Sequence, residues 1–295
     1  MVTARSRADK LFDFFNVVAL SVLLLAVLYP LYFVVISSIS DPDLVNTGKI
    51  TLLPQGVTFE GYSRIFADSN IWRGYRNSLM YTALGTAINV TLTVTAGYAL
   101  SRSDLVGRGG FMFLIVFTMF FSGGLIPTYL LIKNLGMLNT VWAMIIPNAV
   151  SAYNVIIVRT FFQSTIPVEL LEAAKIDGSS NTRFFLRIVL PLSMPIIAVM
   201  ILFSAVGHWN SYFQALIYLK NDNLQPLQIV LRNILITNEM SEQMTDGIVN
   251  QAEIVRIAAT MKYGIVIVAS LPVLILYPFL QKYFVKGVMI GSLKG

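Results

Sequence analysis

Side chains able to carry chemistry are few in this chain and stand far apart. Its 295 residues include one histidine, His208, and no cysteine, which excludes a thiolate nucleophile, a thiolate metal site and a disulfide. A zinc site draws about three or four ligands from His, Cys and carboxylates. One histidine with carboxylates confined to connecting segments supplies no such set, so no metal is expected. No serine, histidine and aspartate fall into a triad arrangement. The phosphate-cradling pattern G-x-x-x-x-G-K-[ST] is also missing. Gly287 and Gly291 lie on a short basic stretch without the lysine and hydroxyl pair that the pattern needs. His208 stands beside Trp209 and Asn210 in an apolar run, where a neutral imidazole hydrogen-bonded inside the protein is the expected role. No catalysis, and no cofactor, is expected of this chain alone.

The elements that hold these residues belong in a lipid bilayer. The chain is 56% hydrophobic and 12% charged, where a soluble domain carries about 25% charged residues, and its mean hydropathy is +0.72. The net charge of +6 comes from basic residues flanking apolar runs, as membrane topology requires, so no nucleic-acid partner is expected. Apolar runs near 14–39, 78–100, 111–132, 141–163, 192–219 and 263–281 are each about long enough to cross a bilayer as a helix of roughly twenty residues. An all-α membrane protein of six transmembrane helices, one transmembrane domain over 1–295, is the expectation. The first run follows Arg5, Arg7 and Lys10. It is too long for a signal-peptide core and no cleavage site follows, so it is expected to persist as the first helix. Basic residues at the N-terminus, Arg102 and Arg108 in the 101–110 loop, and Lys282, Lys286 and Lys294 in the tail put both termini in the cytoplasm. The 40–77 connection tempers this bias, because its Lys49, Arg64, Arg73 and Arg76 are balanced by Asp41, Asp43, Glu60 and Asp68. No Asp or Glu lies inside the six runs away from their ends. Ion-coupled carriers place titratable groups at membrane depth, so the energy for pumping has to enter from outside the spans. If that energy is ATP, a separate subunit binds it.

Three connections are long: 40–77 and 220–262 outside, and 164–190 inside. The 220–262 loop carries Asp222, Glu239, Glu242, Asp246 and Glu253 among short apolar stretches, which suits either a solvated loop with surface helices or a docking surface for an external partner. The internal stretch 166–191, IPVELLEAAKIDGSSNTRFFLRIVLP, is the most informative. Pro167 suits a first helical turn, Glu169 and Glu172 favour its positive end, and Gly178 suits the left-handed position that stops it. Ser179, Ser180 or Asn181 can cap a second short helix. Its Arg183 and Arg187 would face water, while Phe184, Phe185, Leu186 and Ile188 offer apolar surface. The expected result is a helix, turn, helix projecting from the membrane. Ala173 and Ala174 are small enough to let it enter a complementary groove; an amphipathic loop at the headgroups is the alternative.

Glu172, Ala173 and Ala174, then Gly178, then Ile188, Leu190 and Pro191, resemble the EAA loop of bacterial ABC importer permeases at that family's spacing. The likeness runs from about residue 70 to the end, through LGMLNTVWAMIIPNAVSAYN, IPVELLEAAKIDG, HWNSYFQALIYL and VKGVMIGSLKG. It is that of the MalG-like carbohydrate branch and most similar to its LplC/YtcP type, whose members are associated with complex or acidic oligosaccharides and polysaccharides. The resemblance implies a type I ABC importer permease fold in the bacterial inner membrane. It also implies a second homologous permease, two ATP-binding subunits that hold ATP and Mg, an extracytoplasmic solute-binding protein and a saccharide substrate.

In that family each EAA helix docks in a cleft of an ATPase subunit, and closure of the ATPases moves the helices as rigid bodies. Glu172, Ala173, Ala174 and Gly178, with Asp177 as a neighbour, would carry the contact here. Lys286, Gly287, Gly291 and Lys294 would reach the ATPase interface from the tail. Sugars stack on aromatic faces and hydrogen-bond to amides, so Tyr153, Asn154, Trp209, Asn210, Tyr212 and Phe213 are the candidates for the substrate path. The 220–262 loop would approach the binding protein. Permeases for amino acids, peptides and phosphate carry related EAA loops, so the sugar rests on the resemblance. A channel or carrier working alone is the competing reading.

Overall fold

The computed structural model describes residues 7–243, 260–278 and 281. Helix α1 (Arg7–Ser38) is unbroken and faces outward almost everywhere. The short α2 (Pro42–Asn46) and α3 (Glu60–Ala67) lead into α4 (Ser69–Ser101), which begins well before the apolar run near 78. The run near 111–132 is two helices, α5 (Arg108–Phe120) and α6 (Leu125–Asn134), bent by 114° at a break. Gly124 lies there with φ +83, a conformation open to glycine but strained for other residues.

Next, α7 (Val141–Ile145) and a 3₁₀ turn at Ile146–Asn148 that contains Pro147 precede α8 (Ala152–Thr165), and this pair bends by 51°. The short α9 (Val168–Ile176) and α10 (Asn181–Phe184) follow. A π turn, Phe185–Val189, carries α10 into α11 (Leu190–Leu192). Helix α12 (Met194–Trp209) departs at 80°, with Pro195 in its first turn. Because α13 (Tyr212–Tyr218) is separate, the run 192–219 is not one helix. Then come α14 (Leu227–Gln243) and α15 (Thr260–Pro278). Among the described residues three helices are long and apolar enough to span unbroken, and the total is six when each of the three bent pairs counts as one span. Hydropathy reports only side-chain transfer, so a window of apolar residues does not register a Gly or Pro that stops the helix inside it.

The chain divides into two compact units, residues 1–69 with 231–270, and residues 70–230 with 271–295. In the first, the last turn of α1 is buried at Ile36, Ser37 and Ser38, and Ile65 of α3 is fully buried. The rings of Phe33 and Tyr263 meet edge to face at 5.8 Å.

In the second unit α4 is the common wall. Two apolar clusters lie along it: Val94, Val158, Phe162, Ala174, Phe184 and Met200 form one, and Tyr81, Met144, Ala215, Leu219 and Ile229 the other. Between them α4 carries polar groups, and Gly85 lets the His208 ring approach so closely that a Cβ would stand 2.5 Å from it. The beginning of the 220–262 connection is exposed at Lys220–Asn223 yet pinned through its backbone to α4. Asn77 Nδ2 donates to the carbonyls of Asn223 and Gln225 at 2.8 and 3.0 Å, and Tyr81 Oη donates to that of Leu224 at 2.7 Å. The remainder of that connection, residues 244–259, lies outside the described residues, as do Lys286, Gly287, Gly291 and Lys294.

Candidate functional site

Two places in the second unit hold some of the residues singled out by sequence. The first is the turn between α9 and α10. Pro167 precedes α9 in an extended conformation, and Gly178 follows it at φ +67. The Ser179 amide donates to Ala174 O at 2.8 Å and the Gly178 amide to Lys175 O at 3.0 Å, the paired bonds of a helix stop built on a left-handed residue. Of the three expected caps it is Ser180 that acts, its Oγ accepting from the Arg183 amide at 3.3 Å.

Ala174 is buried with Val158, Phe162 and Phe184. Its small side chain therefore seats α9 on its own protein, and it is not available to enter a partner's groove. Phe184 is buried as expected, whereas Leu186 is 55% exposed because the π turn rotates it away from the core. The outward face of α9 presents Glu172, Ala173 and Asp177 together with Ile176, which is 87% exposed. Sequence reasoning passed over Ile176; its position one turn beyond Glu172 and Ala173, on the side opposite Ala174, was the available signal.

The turn is tied to the end of α4. Arg102 grips Asp104 through Nε–Oδ1 at 2.8 Å and Nη2–Oδ2 at 2.5 Å, and also donates to Tyr98 Oη at 3.0 Å and Asn181 Oδ1 at 3.4 Å. Lys175 Nζ lies 3.9 Å from the same carboxylate. Tyr98 inserts its ring between Phe185, at 4.6 Å, and Phe162, at 5.8 Å. The Arg102 hydrogen bonds hold the Asp104 carboxyl down to about 2, and the carboxylate in turn raises the affinity of Arg102 for its proton. The clamp is thus ionised on both sides at neutral pH.

The second place is a cavity of about 200 Å³ with an adjoining groove of about 380 Å³, which share Asn148 and Gln214. Helix breaks converge here: Ser122 and Gly124 from the first, Pro147 and Asn148 from the second, and Ser211 and Gln214 from the corner between α12 and α13. Irregular backbone at membrane depth is tolerated where it lines a cavity. Asn89 bridges the walls, its Nδ2 donating to Asn148 O at 3.1 Å and its Oδ1 accepting from Ser204 Oγ at 3.0 Å and Thr93 Oγ1 at 3.3 Å. The side-chain amides of Asn148, Asn154 and Gln214 make no hydrogen bond among the described residues, leaving donors and acceptors for a bound molecule.

Of the six path candidates, Asn154 lines the cavity and Phe213 the groove. The others lie elsewhere. Trp209 is 3% exposed and packs on Tyr75 with ring centroids 5.9 Å apart. Asn210 caps its own helix through Val206 O and receives a bond from Gln228. Tyr212 packs on the Tyr81 cluster, and Tyr153 is 59% exposed outside both cavities. Amides in apolar runs were the signal for Asn89, Asn148 and Gln214. Among the described residues no cluster of His, Cys, Asp or Glu could hold a metal.

Residues 1–290 match the family model described as the inner membrane component of binding-protein-dependent transport systems. The chain is 41% identical to the polygalacturonan/rhamnogalacturonan transport system permease protein YtcP of Bacillus subtilis, over 97% of this chain and 99% of that protein. It is 38% identical to Protein LplC of the same organism, over 98% and 97%. A solved structure of a bacterial ABC transporter involved in the import of the acidic polysaccharide alginate superposes with a TM-score of 0.87 at 32% identity, covering 96% of this chain and all of that one. The fold is therefore that of a type I permease, and this chain belongs to the family of inner membrane components of binding-protein-dependent transport systems.

Proposed function

We propose that the chain is one of two permeases in an ATP-binding-cassette importer that moves an oligo- or polysaccharide, one of acidic sugars, across the bacterial inner membrane. An extracytoplasmic binding protein delivers the saccharide, and two partner subunits bind ATP and Mg and hydrolyse ATP. Both termini and the α9–α10 turn face the cytoplasm. The observation that carries the reading is the turn itself. It is a prebuilt helix stop whose outer face, Ala173 and Ile176 beside Glu172 and Asp177, is left uncovered, while Ala174 and the Arg102–Asp104 clamp fix its inner face to α4. A rigid lever of this kind passes on a push from a subunit seated on its outer face.

The substrate path runs through Asn148, Asn154, Gln214 and Phe213. Three amides and a ring suit sugar hydroxyls and a sugar face, and relatives named for polygalacturonan, rhamnogalacturonan and alginate support acidic polysaccharide as the class. Purification of the tagged chain in mild detergent from its native cell tests this. Recovery of a second permease and an ATPase, with hydrolysis stimulated by binding protein loaded with oligogalacturonide, is expected. Recovery of this chain alone, with no ATPase, contradicts it.

A further inference from the structure

The segment 50–59, ITLLPQGVTF, contains no charged residue. Ile50 is buried and anchors it, yet Leu52, Leu53, Val57 and Phe59 are 65%, 70%, 60% and 64% exposed. Two bonds secure its far end beneath the tip of α1, the Asp41 amide to Gln55 O and the Thr58 amide to Ile39 O, both at 2.9 Å. Ahead of them, at Thr51 and Leu52, the chain lies against α1. Tyr29 Oη donates to Thr51 O at 3.2 Å, and Tyr32 Oη donates to Leu52 O. Tyr29 stands about 14 Å along the axis from Ser38 at 1.5 Å per residue, so the segment descends a considerable distance below the helix end.

The length of α1 fixes what lies at that depth. Its 32 residues extend about 48 Å, whereas the hydrocarbon core is about 30 Å thick and takes about twenty residues. Asp9, Lys10 and Asp13 mark the water side at its start, and about twenty residues counted from Phe14 end at Phe33. Burial in protein begins three residues further on, at Ile36. Tyr29 and Tyr32 thus occupy the last turn of the span, the level where Tyr and Trp collect at membrane interfaces. Their hydroxyls satisfy two carbonyls that the acyl boundary would leave dry, and Pro54 has no N–H to satisfy. Lys49, exposed at the head of the segment, stands where a phosphate headgroup would pair with it.

We infer that Leu52 and Leu53, with Val57 and Phe59, form an interfacial anchor that dips into the leaflet at the C-terminal end of α1, where the partner is lipid. The anchor sets the height at which α1 and the 39–59 platform ride in the bilayer.

Because the chain has no cysteine, a single introduced cysteine is its one labelling site, and labelling it with an environment-sensitive fluorophore before the partner subunits are added keeps the fluorophore on this chain. The assembled importer in nanodiscs would carry the label at Leu53→Cys or, should that variant misfold, at Val57→Cys, with Asn46→Cys as the water-exposed reference. The expected result is blue-shifted emission, with severalfold stronger quenching by lipids spin-labelled near the headgroup than by iodide, and the reverse preference at Asn46→Cys. Quenching by iodide as strong as at the reference would mean the segment stands in water. Protection from both quenchers would mean that protein covers it. Either result overturns the anchor.

Discussion

Replacing Gly178 with valine isolates the backbone term of the coupling turn. The residue sits at φ +67, and a Cβ built on it meets nothing within 4 Å, so no clash accompanies the substitution. What remains is the left-handed conformation, which costs an L-residue about 1–2 kcal/mol, with β-branched residues at the upper end. A penalty of about 2 kcal/mol lowers the population of the native turn relative to competing turns by about 30-fold. Ala174 and Leu171 still seat α9 in the apolar cluster, so the protein is expected to insert and assemble.

The loss should appear in the ratio of solute transported to ATP hydrolysed, measured in proteoliposomes with the complete importer. Asparagine, which tolerates this conformation, should keep most of the ratio, alanine should fall between, and valine should lose it by tenfold or more while basal hydrolysis persists. Unimpaired transport by Gly178→Val, or equal failure of all three variants, would refute the reasoning.

Asp104→Asn breaks the clamp between α4 and the turn and should lower uptake per ATP severalfold without preventing assembly. Because the folded carboxyl titrates near 2, below its unfolded value of about 3.9, the contribution of the clamp is complete above about pH 4 and fades as pH falls toward 2; the wild-type ratio should therefore stay flat from pH 8 to 5. Gly85→Ala places a methyl 2.5 Å from the His208 ring and should cost about 1–3 kcal/mol, read as a lower unfolding midpoint in detergent that His208→Ser partly restores. Gln214→Leu removes hydrogen bonds worth about 0.5–1.5 kcal/mol each and should raise the KM for saccharide uptake up to about tenfold, whereas Trp209→Phe should lower thermal stability and leave that KM in place. His208→Gln should leave the pH profile of transport unchanged, since the imidazole is packed on Gly85 and carries no relay.

Local grammar made the coupling turn legible: Pro167, Gly178 and the run of Ser179, Ser180 and Asn181 prescribe a start, a stop and a cap with little help from the rest of the chain. The membrane character was legible from composition. The breaks were written in the sequence, as Gly123–Gly124, Pro147 and Pro195, yet hydropathy averaged over them. The cavity at Asn148 and Gln214, lined by the first two of those breaks and by the α12–α13 corner, was therefore not legible in the sequence. At Trp209 the sequence is ambiguous, because an aromatic ring beside an amide suits a sugar and a protein core equally. The ring of Tyr75, far from Trp209 in the chain, packs against it. Ala174 has the same lesson. Its type suits a close approach, but which neighbour approaches depends on Val158 and Phe162.

The most direct test of the account is uptake by purified protein in liposomes. With the second permease and the ATPase present, labelled oligogalacturonide should accumulate only when ATP is inside and loaded binding protein outside, and vanadate should stop it. Accumulation by this chain alone, without ATP, would contradict the account and identify a self-sufficient carrier.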